Sequence, residues 1–241
     1  MAKEFVLAHG AAHGAWCWDG VARSLTGRGH RVVPLDLPGH GRRAAEARRV
    51  TLDAYAEAVI TTMAREGVSR GILVGHSMGG IVISRVAELD GGRAAHLVYL
   101  AAVVLRPGER LVDVQPPVAR VLLQGMAAAR GDGTFLYPAE TAWARWMGDV
   151  AREGGAAGRA LAALTPQPLR AFVEPVDLRR FWALATPRTY IRCLQDAAVT
   201  PEMGARFAAR LGVRPVDLDA GHDAMLSAPA ALGRLLERIP T

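Results

Sequence analysis

The stretch that most constrains the fold is GILVGHSMGGIVISR, which spans residues 71–85. Its apolar, branched start predicts a short buried strand, and the apolar residues after Gly80 recur at helical spacing. Between them lies G-x-S-x-G, which is the pattern of a nucleophile elbow. This sharp turn exposes the hydroxyl of Ser77 above the sheet and leaves no room for side chains at Gly75 and Gly79. A glycine-rich turn with a bystander serine is the alternative, but the flanking strand and helix favour the elbow.

Length and composition indicate one globular domain. The chain has 241 residues, of which 51% are hydrophobic and 22% are charged, as in an ordinary α/β domain with a sizeable core. The longest unbroken apolar run, residues 97–105, is too short to span a bilayer, and the N-terminus carries no recognisable leader. Two cysteines are too few for a disulfide framework. These features predict a cytoplasmic protein that has no membrane partner.

The net charge of +6 raises the possibility of nucleic-acid binding. Of the 29 basic residues, Lys3 is the only lysine, and the arginines are scattered through every segment. Phosphate binding needs a basic stripe or patch, which this distribution does not provide. We therefore expect no nucleic-acid partner.

Predicted strands alternate with predicted helices over most of the chain, and this alternation favours an α/β fold with a mainly parallel sheet covered on both faces. Pro34 predicts an edge or irregular position for the second strand, because proline cannot donate a ladder hydrogen bond. Thr51 is the expected N-cap of a helix. The predicted strands are 4–8, 31–37, 72–74, 97–104, 188–194 and 213–218. The predicted helices are 21–28, 52–65, 80–89, 201–211 and 229–239.

Residues 106–187 break the alternation. They contain three of the five tryptophans, several phenylalanines, and proline and glycine breakers, which predict a mostly helical insertion. Its aromatic residues are expected to shape an apolar acyl pocket, with Phe135, Trp143 and Trp146 as candidate substrate contacts. His13, in the loop after the first strand, is a further candidate. The alternative is that several of these side chains only pack the insertion onto the core.

A serine nucleophile needs a base within hydrogen-bond reach and a third group that orients the base. Among seven histidines, His222 follows the last predicted strand and precedes the last helix, where the chain order Ser…Asp…His places the base. Asp196 follows the strand that resumes after the insertion and is the expected acid. Asp219 is a weaker rival, and the side chain of Asp223, next to His222, is expected to point away from it.

The oxyanion hole requires two backbone N–H groups aimed at the developing negative charge. The first expected donor is Met78, directly after the nucleophile. The second is expected from the loop after the first strand, at Ala11.

Five sequence motifs indicate a family resemblance. They are FVLAHGAAHGAWCW, DLPGHG, LVGHSMGG, RTYIRCLQDAAVTP and DAGHDAM. In this order and spacing they resemble the α/β-hydrolase superfamily. The first is similar to the branch of plant methyl esterases, salicylate-binding esterases and hydroxynitrile lyases, with their bacterial relatives. The resemblance implies a six-stranded, mostly parallel sheet, a core of residues 1–105 and 188–241, and a helical cap over 106–187. It also implies a Ser77–His222–Asp196 triad, no cofactor and no metal.

Two positions depart from the lyases of this branch, which have a threonine after the first-loop histidine and a lysine after the catalytic histidine. Gly10 and Asp223 occupy these places, so the esterase pattern is retained. We therefore predict a serine hydrolase that cleaves a carboxylic ester with a small to medium apolar or aromatic acyl group. A small-molecule substrate is the expected partner of a monomer or homodimer. The alternatives are a thioesterase, a lyase or oxygenase on the same scaffold, and a small-molecule receptor with little turnover.

Overall fold

A computed structural model describes residues 2–151 and 155–240. Its main sheet has six parallel strands in the order β2-β1-β3-β4-β7-β8, and a separate antiparallel pair joins β5 to β6. The strands are β1 (Glu4–Ala8), β2 (Arg31–Leu35), β3 (Gly71–His76), β4 (Ala94–Leu100), β5 (Thr134–Phe135), β6 (Gln167–Pro168), β7 (Arg188–Cys193) and β8 (Val216–Leu218). The predicted fold class is confirmed, and Pro34 lies on the edge strand β2, as expected.

Helices cover both faces of the sheet. They are α1 (Asp19–Thr26), α2 (Leu52–Arg65), α3 (Gly79–Leu89), α4 (Pro117–Arg130), α5 (Ala139–Trp146), α6 (Ala156–Ala163), α7 (Arg170–Val173), α8 (Pro201–Arg210), α9 (Ala224–Ser227) and α10 (Pro229–Glu237). Helices α2, α3 and α8 pack on one face, whereas α1, α9 and α10 pack on the other. Short 3-10 segments occupy Ala15–Trp18, Gly41–Arg49, Gly91–Arg93, Leu111–Val114 and Phe181–Ala183.

Strand β1 shows how the sequence produces two separate cores. Val6 and Ala8 pack in the core under α2 and α3, and Phe5 and Leu7 pack in the core under α1 and α10. Successive side chains of a strand point to opposite faces, so a continuous apolar run fills both cores of a parallel sheet. Each such large side chain stabilises the fold by about 1.5–3 kcal/mol when it is fully buried.

Two helices begin where the sequence has a hydroxyl residue. The side chain of Thr51 accepts from the amide of Ala54 at the start of α2, as predicted. Thr200 accepts from the amide of Met203 at the start of α8, with Pro201 in the first turn. Both contacts satisfy amides that have no partner within the helix.

Several predicted elements differ from the structure in their bounds, and the fourth and last strands differ most. The fourth strand ends at Leu100 rather than at residue 104, because Ala101 adopts a left-handed φ of 44° and the amide of Val103 turns back to the carbonyl of Ser77. The last strand is limited to Val216–Leu218. The pair β5–β6 was not predicted, since two-residue strands give no periodic signal.

Residues 106–187 contain α4 to α7 and the pair β5–β6, and residues 152–154 of this stretch lie outside the described part of the chain. Three hydrogen bonds link the described residues of the segment to the loop after β1, and main-chain amides donate two of them. The amide of Ala12 donates to Gln167 Oε1 at 3.1 Å, and the amide of Thr165 donates to the carbonyl of Ala12 at 2.8 Å. In the described residues we find no helix with both the length and the apolar character required to cross a membrane.

Candidate active site

Ser77 lies between β3 and α3 with a φ of 53°, in the left-handed region that few residues other than glycine adopt. A Cβ on Gly75 would overlap the carbonyl of Gly79, and a Cβ on Gly79 would approach the carbonyl oxygen of Ala8 to 2.6 Å. The crowding predicted from G-x-S-x-G is therefore present, and both glycines are sterically required. The turn holds the partly exposed Ser77 at the carboxyl end of β3.

We expect Gly75→Ala to destabilise the protein by about 3 kcal/mol or more, because the new methyl group meets backbone atoms that cannot move without breaking the turn. Gly125 is the matched control, since it lies exposed inside α4 with no atom within 4 Å of a new Cβ. Gly125→Ala should stabilise the protein by up to about 1 kcal/mol. Urea denaturation measures both changes, and equal effects of the two substitutions would contradict a crowded elbow.

The backbone around Ser77 leaves two N–H groups available. The amide of Ser77 itself donates to the carbonyl of Leu100 at 3.1 Å. In the described residues, neither the amide of Met78 nor that of Ala11 has an acceptor. Both residues line the cavity that contains Ser77, and a Cβ on Gly10 would lie 2.9 Å from Ser77 Cβ, so the loop after β1 touches the elbow. Two free donors beside a hydroxyl can bind an oxyanion.

Asp196 and His222 come from the loops after β7 and β8, which are neighbours in the sheet. His222 Nδ1 donates to Asp196 Oδ2 at 2.8 Å, and both side chains are buried. A carboxylate only accepts, so this bond places the proton on Nδ1 and leaves Nε2 with its lone pair. The other oxygen of Asp196 accepts from the amides of Ala198 and Val199 at 2.7 and 2.8 Å. The carboxylate is therefore fixed at both oxygens.

His76 places His222 beside the elbow. Its ring lies 4.7 Å from the His222 ring, and its Nε2 donates to the His222 carbonyl at 3.1 Å. In the described residues, Ser77 Oγ makes no hydrogen bond to His222, a separation that is common in catalytic sites without substrate. Burial, followed by the nearby His222 and His13, lowers the pKa of His76 well below its usual range, so His76 is neutral.

The two rival carboxylates have other partners. Asp219 is exposed and accepts from Gln195 Nε2 at 2.7 Å. Asp223 is fully buried, and its Oδ2 accepts from His13 Nε2 at 3.0 Å. The expectation that the side chain of Asp223 points away from His222 does not hold, because ligand atoms of the two side chains lie within 4.8 Å of each other, although the hydrogen bond of Asp223 goes to His13.

His13 and Asp223 form a buried pair behind His222. Burial alone would lower the pKa of His13. The negative charge of Asp223 and its hydrogen bond to His13 act in the opposite direction, as does the 2.7 Å bond from His13 Nδ1 to the Ala11 carbonyl. Together these contacts outweigh burial and raise the pKa of His13. The ring of His13 also stacks on Trp16 at 5.5 Å. This pair therefore supports the loops that carry Ala11 and His222.

The raised pKa of His13 predicts a pH dependence of stability. The folded state holds the His13 proton more tightly than the unfolded state, whose pKa is 6.5. The stabilisation is fully present below pH 6.5 and is lost as the pH rises through the folded-state pKa. Asp223→Asn removes the cause of the raised pKa, so its free energy of unfolding should fall less steeply above pH 6.5. Urea denaturation from pH 6.5 to about 9 compares the two slopes, and equal slopes would contradict a charged His13.

Two other buried histidines are structural. His9 Nδ1 donates to the Gly10 carbonyl and its Nε2 accepts from the Leu37 amide. Burial lowers its pKa to about 4. His40 bonds to the hydroxyls of Tyr55 and Thr165, both at 3.0 Å. Neither ring is free to accept a proton from Ser77.

One group of described residues has donor atoms close enough for a metal ion. It comprises His76, His222 and Asp223, whose ligand atoms lie within 4.8 Å of one another. His222 Nδ1 is already bonded to Asp196. A metal ion at this place would occupy the free Nε2 of His222, which the base needs for proton transfer. The expectation that the site holds no metal stays a prediction.

A narrow cavity of about 50 Å³ opens beside Ser77, which is room for about four water molecules. Of the four predicted substrate contacts, Trp146 lies on the cavity wall, and His13, Phe135 and Trp143 do not. His13 is bonded to Asp223 instead, and Phe135 packs against Phe172. Their substrate contacts stay predictions. Sequence reasoning missed the following wall residues: Val103, Leu111, Val114, Gln115, Tyr137, Arg145, Phe172, Ala198, Val199 and Met203.

Comparisons with known proteins identify the family of the chain. A model described as the alpha/beta hydrolase family matches residues 5–235. The chain belongs to this family. The alpha/beta hydrolase is 31% identical to the carbendazim hydrolyzing esterase of a Nocardioides species, over 97% of this chain and 98% of the relative. It is also 31% identical to the pyrethroid hydrolase of Sphingobium wenxiniae, over 97% and 86% of the two chains.

A solved structure supports the fold of this alpha/beta hydrolase. An extracellular α/β-hydrolase from a Paenibacillus species, described as homologous to tobacco salicylic acid binding protein 2, superposes with a TM-score of 0.89. It is 24% identical and covers 97% of each chain. The family prediction is thereby confirmed. With relatives that are named esterases, the chain is a carboxylic ester hydrolase of the α/β-hydrolase fold.

Proposed function

We propose that this enzyme cleaves a carboxylic ester through Ser77, His222 and Asp196. The observation that carries the proposal is the 2.8 Å bond from His222 Nδ1 to Asp196, which leaves Nε2 free beside the Ser77 elbow. In this arrangement His222 is the base and Asp196 holds its ring in the tautomer that can accept a proton.

In the first half-reaction, Ser77 Oγ attacks the ester carbonyl while His222 Nε2 takes the hydroxyl proton. The amides of Met78 and Ala11 donate to the carbonyl oxygen as it becomes negative. His222 then returns the proton to the departing alcohol oxygen, and the acyl group stays on Ser77 as an ester.

In the second half-reaction, His222 removes a proton from a water molecule, and the resulting hydroxide attacks the acyl carbon. The tetrahedral intermediate collapses, the acid leaves, and Ser77 recovers its proton from His222. Atoms balance as ester plus water giving acid plus alcohol, and no cofactor enters any step.

The cavity suggests how the substrate is held. Its wall is mainly apolar, and half of its lining residues come from 106–187, with Leu111, Tyr137, Trp146 and Phe172 among them. We propose that this segment is a cap over a core of residues 1–105 and 188–241. The narrow cavity favours a small acyl or alcohol part, and a larger substrate requires a shift of cap side chains.

The test is covalent trapping followed by a substrate panel. A fluorophosphonate should add one adduct to the intact protein, and peptide mass mapping should place the adduct on Ser77. Aryl esters, alkyl esters and a matched thioester then separate an esterase from a thioesterase by their kcat/KM values. A protein that is not labelled and hydrolyses none of these substrates would contradict the proposal and favour a receptor.

A further inference from the structure

Arg145 is the one charged side chain on the wall of the Ser77 cavity, as far as the described residues show. It lies in α5, one residue before Trp146. The remaining wall is apolar apart from Ser77, Gln115 and Tyr137. No carboxylate of the described residues lines the cavity, so the charge of Arg145 is not compensated within it.

The guanidinium of Arg145 has no anionic partner in the described part of the chain. Its Nε is buried and makes no hydrogen bond, and its Cζ lies 5.7 Å from the centre of the Tyr137 ring. The ring face attracts a cation but does not replace a carboxylate as an acceptor for the N–H fork. By contrast, Arg210 in the adjoining surface hollow is paired with Glu109 at 2.6 Å. A buried donor of a charged group without an acceptor is unfavourable, and a bound anion would remove this cost.

Two further donors face the same cavity. Gln115 and Tyr137 are half-buried and line it, and neither side chain has a hydrogen-bond partner among the described residues. Together with Arg145, they form a donor cluster on an otherwise apolar wall. All three side chains are half-buried. An apolar acyl chain that displaced their water would leave them without acceptors, whereas a carboxylate can accept from an arginine with both oxygens.

We propose that the substrate of this enzyme is an ester that also carries a carboxylate, such as the half-ester of a dicarboxylic acid, and that Arg145 binds this carboxylate. The inference rests on the proposed ester hydrolysis and deepens it. Ser77 attacks the ester group, and Arg145 determines specificity by pairing with the charged end of the same molecule. The reaction itself is unchanged, since the carboxylate is bound and not transformed.

The experiment compares esters that differ only by a carboxylate or its neutral carbamoyl isostere. One pair carries the group on the acyl side, as monomethyl adipate and methyl adipamate. The other carries it on the alcohol side, as O-benzoylglycolate and O-benzoylglycolamide. In the wild-type enzyme we expect kcat/KM to favour the carboxylate by about tenfold or more in at least one pair. Arg145→Gln should lower this ratio by on the order of 10- to 100-fold, and Arg145→Lys should retain part of it.

Arg206→Gln is the matched control. Arg206 is exposed in the adjoining hollow, which shares Val114, Gln115 and Met203 with the cavity. The substitution removes the same charge outside the cavity, so the ratio should not change. An equal fall of the ratio in Arg206→Gln would overturn the assignment to Arg145, since it would indicate only a general positive field.

Binding to the Ser77→Ala protein separates this inference from the proposed function. Isothermal titration should show tighter binding of the carboxylate ester than of its carbamoyl isostere, and Arg145→Gln in the same background should abolish the difference. If the carboxylate ester bound more tightly than its carbamoyl isostere but the wild-type enzyme hydrolysed neither, the inference about Arg145 would stand and the proposed ester hydrolysis would be rejected. If the wild-type enzyme hydrolysed the carbamoyl esters and did not prefer the carboxylate ester in either pair, the proposed ester hydrolysis would stand and the inference about Arg145 would be overturned.

Discussion

Ser77→Ala should lower kcat for ester hydrolysis by on the order of 10⁶ and leave the protein folded. The elbow offers one hydroxyl, and no other side chain can form the acyl-enzyme at this place. Alanine can adopt the required backbone, because Ala12 and Ala101 already have φ values of 63° and 44° in this chain. Steady-state kinetics on an activated ester, with protein free of contaminating esterase, measures the loss. More than a few per cent of wild-type activity would overturn the covalent mechanism.

Ser77→Gly is the companion variant and has a distinct signature. It also removes the hydroxyl. In the folded state, glycine removes a backbone strain of about 1–2 kcal/mol that the left-handed φ imposes on other residues. Glycine also gives the unfolded chain more conformational freedom, which offsets part of this gain. We expect loss of turnover together with an increase of about 0.5–1 kcal/mol in the free energy of unfolding. An inactive and destabilised Ser77→Gly protein would instead indicate that the serine side chain supports the fold.

The framework of the site was predictable because it depends on local sequence. G-x-S-x-G admits few backbones, and the structure has the expected sharp turn, with Ser77 at a left-handed φ and with Gly75 and Gly79 crowded. Asp196 and His222 could be selected because parallel strands end at one edge of the sheet, where the loops after β7 and β8 are neighbours. Their 2.8 Å contact agrees with that selection.

The cavity wall was not predictable in the same way. Aromatic content directed attention to Trp143 and Phe135, but packing between remote segments decides which side chain faces a cavity. Phe135 packs against Phe172, and it is Phe172 that lines the cavity. Arg145 was hidden among many scattered arginines, and its place on the wall of the Ser77 cavity distinguishes it from others, such as Arg188, that also have no acid partner in the described residues.

The buried pair of His13 and Asp223 was also beyond reach from sequence. His13 was a candidate substrate contact because it lies in the loop after β1, and Asp223 was considered as a catalytic acid because it follows His222. The structure joins them at 3.0 Å across 210 positions of the chain. A contact between two single residues at such a separation leaves no periodic pattern in the sequence.

Asp196→Asn should lower kcat by about 10⁴ with little change in substrate binding. The reason lies in how the carboxylate is held. Its Oδ1 accepts from the amides of Ala198 and Val199, and only an oxygen can keep both bonds. The new amide group therefore faces His222 Nδ1, which must become an acceptor and move its proton to Nε2. In that tautomer Nε2 cannot take the proton of Ser77, so the base is lost while the fold is preserved.

Two other substitutions make this prediction selective. Asp219→Asn should have little effect on kcat, because Asp219 is exposed and bonded to Gln195. Asp223→Asn should act mainly on stability, since it alters the buried pair with His13, and it should reduce kcat far less than Asp196→Asn. All three variants are assayed on one ester, and their unfolding is followed by circular dichroism. A large loss of kcat in Asp219→Asn or Asp223→Asn, with Asp196→Asn nearly active, would assign the acid to a different loop while Ser77 and His222 kept their roles.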